Sequence, residues 1–152
     1  MKILLTALLL ASGLGRGAAA QVAVTYFPFQ SVLAISSDTE RRGWGSLNVD
    51  TNTFISNTTL EVQGLVALRQ GRLVNYYTGL GLNVSPFYVL NGLTLVNGYT
   101  LTLGARIKPL PARPQAQLVF ELAPYVSTYG DSGTLRTRLG LAYNFGPARP
   151  RP

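Results

Sequence analysis

From Leu135 to Phe145 the hydrophobic and polar positions of the chain alternate with a period of two. Leu135, Thr137, Leu139, Leu141, Tyr143 and Phe145 share one parity, and Thr134, Arg136, Arg138, Gly140, Ala142 and Asn144 share the other. Successive side chains of a strand project to opposite faces, so this spacing predicts a strand with one apolar face and one wet, cationic face. Tyr99 to Lys108 repeats the pattern, with Tyr99, Leu101, Leu103, Ala105 and Ile107 against Thr100, Thr102, Gly104, Arg106 and Lys108. In Gln115 to Ser127, Leu118, Phe120, Leu122 and Val126 oppose Gln115, Gln117, Glu121, Tyr125 and Ser127. In Val74 to Val84, Val74, Tyr76, Leu80, Leu82 and Val84 oppose Asn75, Tyr77, Gly79, Gly81 and Asn83. Thr53 to Arg69 is looser, with Phe54, Leu60, Val62, Val66 and Leu68 opposite Asn57, Thr59, Glu61, Gln63 and Arg69.

Gly, Pro, Asn and Asp clusters separate these runs, the layout of an all-β chain. The runs exceed the roughly five or six residues of an average strand. They match instead the ~9–11 residues that a tilted strand needs to cross the hydrocarbon layer of a membrane. Gln70-Gly71 and Pro109 to Pro114 read as tight connections flanked by Arg or Lys, Phe87 to Gly98 as a longer uncharged loop, and Tyr129 to Gly133 as a turn. Asp38 to Gly43 reads as a polar turn and Trp44 to Thr53 as a strand. Val22 to Ser37 reads as two strands meeting near Pro28-Phe29, which brings the count to eight; one strand bent at Pro28 gives seven. The expected fold is an all-β, closed, antiparallel up-and-down barrel of eight strands in a membrane.

The first twenty residues carry Lys2, an apolar run from Ile3 to Ala11, and Ala18-Ala19-Ala20 before Gln21. This is the arrangement of a cleaved signal peptide, and the run is too short for a membrane-spanning helix. The expected division is therefore a signal peptide over 1–20, a barrel over 21–146 and a disordered Pro/Arg tail over 147–152. After residue 20 there remain 11 basic and 6 acidic residues, a net charge of +5. The charges are dispersed, with no basic helix or stripe, which argues against nucleic acid as a partner.

The charges do decide something about the faces. Glu61, Arg106, Glu121, Arg136 and Arg138 lie on polar faces whose opposite faces are nearly free of charge. In a small membrane barrel the interior is polar and filled with side chains, so these five residues are expected to form a structural charge cluster in the lumen, with Arg136 and Arg138 as partners for Glu121. Leu101, Leu103, Leu118, Phe120, Leu139, Leu141 and Tyr143 are then expected to face lipid. The aromatics Tyr26, Phe27, Phe29, Trp44, Phe54, Tyr76, Phe87, Tyr88, Tyr99, Tyr143 and Phe145 lie mostly near segment ends, where interfacial girdles belong. Gly79 and Gly81 are expected to leave room in the lumen for a large neighbour such as Tyr77 or an arginine. The contrasting arrangement is a soluble periplasmic or secreted barrel, its apolar face turned inward around an apolar ligand.

The signal-like N-terminus, the alternating runs and the closing strand ending on Phe145 together resemble the small bacterial outer-membrane β-barrel proteins of the OmpA/OmpX-like type. The resemblance is one of architecture and implies outer-membrane localisation, contact with the bilayer and lipopolysaccharide, delivery by the barrel-insertion machinery, and a monomer. It also implies a structural or surface-interaction role through loops, chiefly Phe87 to Gly98 and Tyr129 to Gly133.

The chain contains no His and no Cys. Ser-His-Asp and Cys-His nucleophilic sites, thiolate metal sites and disulfides are thereby excluded. Asp38-Thr39-Glu40 and Asp50-Thr51-Asn52 lack the spacing of a calcium loop and read as solvated turns. Asn57-Thr58-Thr59 fits the glycosylation pattern, a common chance match. The expectation is a non-enzymatic protein without cofactor or metal.

Overall fold

The computed structural model describes residues 21–52, 59–86 and 94–145. The expected signal peptide and tail, Phe54, Asn57, Phe87, Tyr88 and most of the loop leading to Gly98 lie outside the described residues. The rest forms a closed barrel of eight antiparallel strands in sequential order, β1 next to β2 and so on until β8 pairs with β1. The strands are β1 (Val22–Phe27), β2 (Val32–Ser36), β3 (Gly43–Asp50), β4 (Leu60–Gln70), β5 (Val74–Val84), β6 (Val96–Ile107), β7 (Ala116–Ser127) and β8 (Gly133–Phe145). Val22 to Ser37 is thus two strands, turned at Pro28–Ser31, where Ser31 takes the left-handed conformation at φ 53°.

The register fixes the shape of the barrel. Neighbour by neighbour, Val74 of β5 leads through Ile107, Leu118, Leu141, Tyr26, Leu33, Val49 and Leu60 back to β5 at Val84, ten residues further along. With ~3.3 Å per residue and ~4.8 Å between strands, that stagger corresponds to a strand tilt of about 41° and a backbone radius of about 8 Å. Each residue then rises about 2.5 Å along the barrel axis, and the 11 residues of β5 span about 27 Å. A lumen this narrow holds side chains and little else.

The stagger also makes the wall uneven. Only Val22 to Tyr26 pairs with β8, through Phe145 to Leu141. Strand β8 therefore continues about 14 Å beyond the end of β1, leaving a step in the wall at the β1–β8 seam. Gln30, on the β1–β2 turn, donates from Nε2 to the Thr137 carbonyl at 2.7 Å and partly covers that step.

Both ends of the described chain lie at one end of the barrel, with the connections 37–42, 71–73 and 108–115. Residues 28–31, 51–52, 59, 85–86, 94–95 and 128–132 lie at the other.

Candidate functional site

The parity of the strands becomes an inside and an outside. Leu101, Leu103, Leu118, Phe120, Leu139, Leu141 and Tyr143 all stand exposed on the outer wall, joined by Ile35, Val62, Val66, Leu80 and Leu82. Outward aromatics stand toward both ends, Tyr76, Tyr143 and Phe145 at the end bearing the chain termini and Phe29, Tyr99 and Tyr129 at the loop end, while Tyr26, expected in a girdle, and Phe120 lie outward at mid-height. Phe27 and Trp44, expected in a girdle, turn inward instead and are buried. One departure from simple alternation is a bulge between Ala67 and Arg69, which pairs Arg69 with the outward Tyr76 and so moves it off the inward face of β4.

The lumen is polar and layered. Arg138, 3% exposed, lies between two carboxylates: Nη2 is 2.5 Å from Glu61 Oε2 and Nη1 is 3.6 Å from Glu121 Oε2. Glu121 sits directly across from Arg138 in the β7–β8 register. The Tyr77 hydroxyl donates to Glu121 Oε1 at 2.6 Å, and Gln63 Nε2 donates to Glu61 Oε1 at 2.6 Å and to Thr102 Oγ1 at 3.1 Å. Two buried carboxylates sharing one guanidinium need these extra donors, because burial penalises every unpaired charge.

The other two expected members of the cluster are placed differently. Arg136 is half-buried toward the loop end, 4.0 Å from Glu61 Oε2, so its carboxylate is Glu61 rather than Glu121. Its guanidinium stacks 4.2 Å from the Tyr125 ring centroid, and Nη1 donates to Asn83 Oδ1 at 3.5 Å. Arg106 stands apart from the ion pairs, with its guanidinium carbon 5.5 Å from the Tyr77 centroid and 5.9 Å from that of Trp44. Those two rings meet edge to face at 5.3 Å. Arg106 is therefore held against aromatic faces, an attraction that strengthens once water is excluded.

Glycines admit the large inward side chains. A Cβ on Gly104 would run into the Tyr77 ring, one on Gly140 would lie 2.7 Å from Phe27, and one on Gly98 would lie 2.5 Å from Tyr125. The expectation that Gly79 or Gly81 makes room for Tyr77 is thus corrected: Gly79 receives Leu65, Gly81 receives Gln63, and Tyr77 lies over its cross-strand partner Gly104.

Toward the termini the lumen is closed by the 37–42 connection. Thr39 is 2% exposed and its hydroxyl donates to Asn144 Oδ1 at 3.0 Å. Lys108 reaches Glu40 Oε2 at 2.9 Å, while Gln117 Nε2 donates to Glu40 Oε1 at 3.0 Å. Asp38-Thr39-Glu40, expected to be a solvated turn, instead folds into the barrel mouth. Glu40 and Lys108 lie 68 residues apart, so no local sequence signal announces their pairing.

At the loop end the lumen opens into a polar vestibule. A cavity of about 390 Å³ has Asn48, Asp50, Asn83, Arg136 and the Arg138–Glu61 pair among its walls. A second, of about 380 Å³, continues from Thr59, Asn83 and Arg136 to Tyr125 and Tyr129. Thr137 faces outward, yet it lines the first cavity together with the inward Arg136 and Arg138. The cavity thus meets the outside at the step in the wall.

Comparison with family models, with curated proteins and with solved structures finds no match.

Proposed function

We propose that this chain is a non-enzymatic outer-membrane β-barrel protein that contributes to the envelope or to surface interactions through its loop end. The observation that carries the proposal is the inversion of polarity: aliphatic and aromatic side chains cover the outside, while ion pairs, amides and hydroxyls fill the inside. In water, such an exposed apolar surface far exceeds the few hundred Å² that a soluble monomer tolerates in one patch. Against lipid it is the favourable arrangement, and a closed barrel leaves no unpaired sheet edge along most of its wall. Strands β4 to β8, with 11 to 13 residues each, are long enough to cross an apolar band of about 25 Å at the tilt the register implies, whereas β1, β2 and β3 are shorter, with 6, 5 and 8.

Further features of the same reading follow from the interior. The layers at Glu40–Lys108, Trp44–Arg106–Tyr77 and Arg138–Glu61–Glu121 obstruct the lumen, which argues for a barrel without a through-channel. Glu61 and Glu121 are committed to Arg138, Gln63 and Tyr77, which suits a structural role better than general acid–base work. In this reading the chain is exported, inserted by the barrel-insertion machinery and monomeric. Its termini face the periplasm, and lipopolysaccharide surrounds the loop end.

The test is to express the full chain in a Gram-negative host and fractionate the envelope. Recovery in the outer membrane, with a band that migrates differently before and after boiling, supports the reading. Recovery in the soluble fraction without detergent overturns it.

A further inference from the structure

The charges outside the lumen are unevenly placed. At the termini end five arginines stand exposed among the described residues: Arg41 and Arg42 in the β2–β3 connection, Arg69 and Arg72 around the β4–β5 turn, and Arg113 in the β6–β7 connection. The two carboxylates of that end are both turned in. Glu40 is taken by Lys108 and Gln117 in the mouth of the barrel, and Asp38, 9% exposed, pairs with Arg41 at 3.3 Å. Arg42, Arg69, Arg72 and Arg113 close on no carboxylate among the described residues. The loop end differs: its charged residues are Asp50, Asp131 and the half-buried Arg136, and segments 53–58 and 87–93 contain no charged residue.

We propose that this arginine rim binds the phosphates of anionic phospholipid headgroups in the leaflet at the termini end. The inference rests on the membrane reading above. Three observations point to a headgroup rather than another anion. The rim lies at the edge of the apolar belt, with exposed Leu73 and Leu110 in the same connections as Arg72 and Arg113, a mixture of apolar and cationic side chains suited to the interface. Arg69 is the register partner of the outward Tyr76, with Tyr143 and Phe145 at the same end, and an outward aromatic beside an arginine is the pairing suited to that interface. The arginines are also spread over three connections round the circumference, which suits several separate headgroups better than one compact ligand. Guanidinium groups bind phosphate oxygens bidentately, and basic residues at a membrane surface attract acidic lipid.

The test uses the full chain reconstituted in phosphatidylcholine vesicles, with trace spin-labelled phosphatidylglycerol or spin-labelled phosphatidylcholine reporting the lipid held at the protein surface. At low salt the phosphatidylglycerol label should be preferred by about twofold or more. The preference should collapse toward equality near 1 M NaCl, where the screening length falls to about 3 Å. The combined variant Arg42→Gln, Arg69→Gln, Arg72→Gln and Arg113→Gln should lose the preference while keeping its heat-modifiable band. If that variant does not fold, the salt series on the unaltered chain decides alone. Insertion with equal preference for both labels, or a preference unchanged by salt or by the variant, overturns the rim proposal only. Failure to insert into vesicles overturns the membrane reading and the rim proposal together.

Discussion

Leu141→Arg separates a lipid-facing wall from a water-facing one by its magnitude. Leu141 is 65% exposed on the outer face, between Leu118 of β7 and Tyr26 of β1. It lies three strands along the register row that begins at Val74, which at a tilt of about 41° puts it about 9 Å above Val74. In an apolar band about 25 Å tall starting at that level, Leu141 is within about 4 Å of the midplane. An arginine there costs ~2–4 kcal/mol in a bilayer, roughly a 30- to 700-fold change in the folding equilibrium. On a water-exposed wall the same substitution removes almost no buried area and should stay within about 0.5 kcal/mol. The two environments therefore predict effects that differ several-fold. The assay is reversible folding of wild type and variant into phospholipid vesicles across a denaturant series. It is read by heat-modifiable mobility and by the fluorescence of Trp44, the single tryptophan of the chain. A loss below about 0.5 kcal/mol would refute placement of β8 in lipid.

Inside the barrel, Gly104→Ala drives a methyl group into the Tyr77 ring and should cost about 1–3 kcal/mol in the same titration, most of it recovered when Tyr77→Leu is added. If Tyr77→Leu adds its own loss without recovery, the collision is not the cause. Arg138→Met strands Glu61 and Glu121 without their shared cation, for an expected loss of about 3–5 kcal/mol; adding Glu61→Gln and Glu121→Gln should restore most of it. Hydrogen exchange in micelles should find the seam-side amides within Thr134–Gly140 about a hundredfold less protected than those central in β5 and β6, because that stretch of β8 has no β1 partner. Equal protection would mean that the step in the wall is closed.

Period-two alternation made most of the barrel legible, since every wall residue meets one of only two environments. Leu139 and Arg138 are adjacent in sequence and opposite in fate, and parity alone assigns both. The same rule fails wherever strand pairing, rather than the strand, decides. Arg69 belongs to the inward parity of Glu61 and Gln63, but the bulge after Ala67 shifts the phase by one and turns it out beside Tyr76. Phe27 and Trp44 sit near strand ends, as girdle aromatics do, yet their parity is that of Thr25 and Ser46, and both rings go inward. Which glycine hosts which ring depends on register: Tyr77 meets Gly104 because β5 and β6 pair there, a fact absent from either segment read alone. The 37–42 connection was the least legible part. Asp38, Thr39 and Glu40 are ordinary turn residues until Lys108 and Gln117 come round from β6 and β7 to receive Glu40.

The closure between β1 and β8 shows how this narrow barrel replaces missing backbone pairing with side chains. Five register pairs join these strands, from Val22–Phe145 to Tyr26–Leu141, against eleven between β7 and β8. Beyond Tyr26 the contact passes to Phe27, whose ring fits over Gly140 only because that position lacks a Cβ, and then to Gln30, which occupies the Thr137 carbonyl. Backbone groups without a partner are costly wherever water is excluded, so each such substitute has value at the seam. Arg138 reaches Glu61 on β4 and Glu121 on β7, and its guanidinium lies 6.0 Å from the Phe27 centroid, tying the far wall to the seam through the lumen. The buried charges thus do more than fill space: they add a link across the lumen in the stretch where β8 pairs with β7 alone. A wholly apolar lumen of the same volume would lack that directional link.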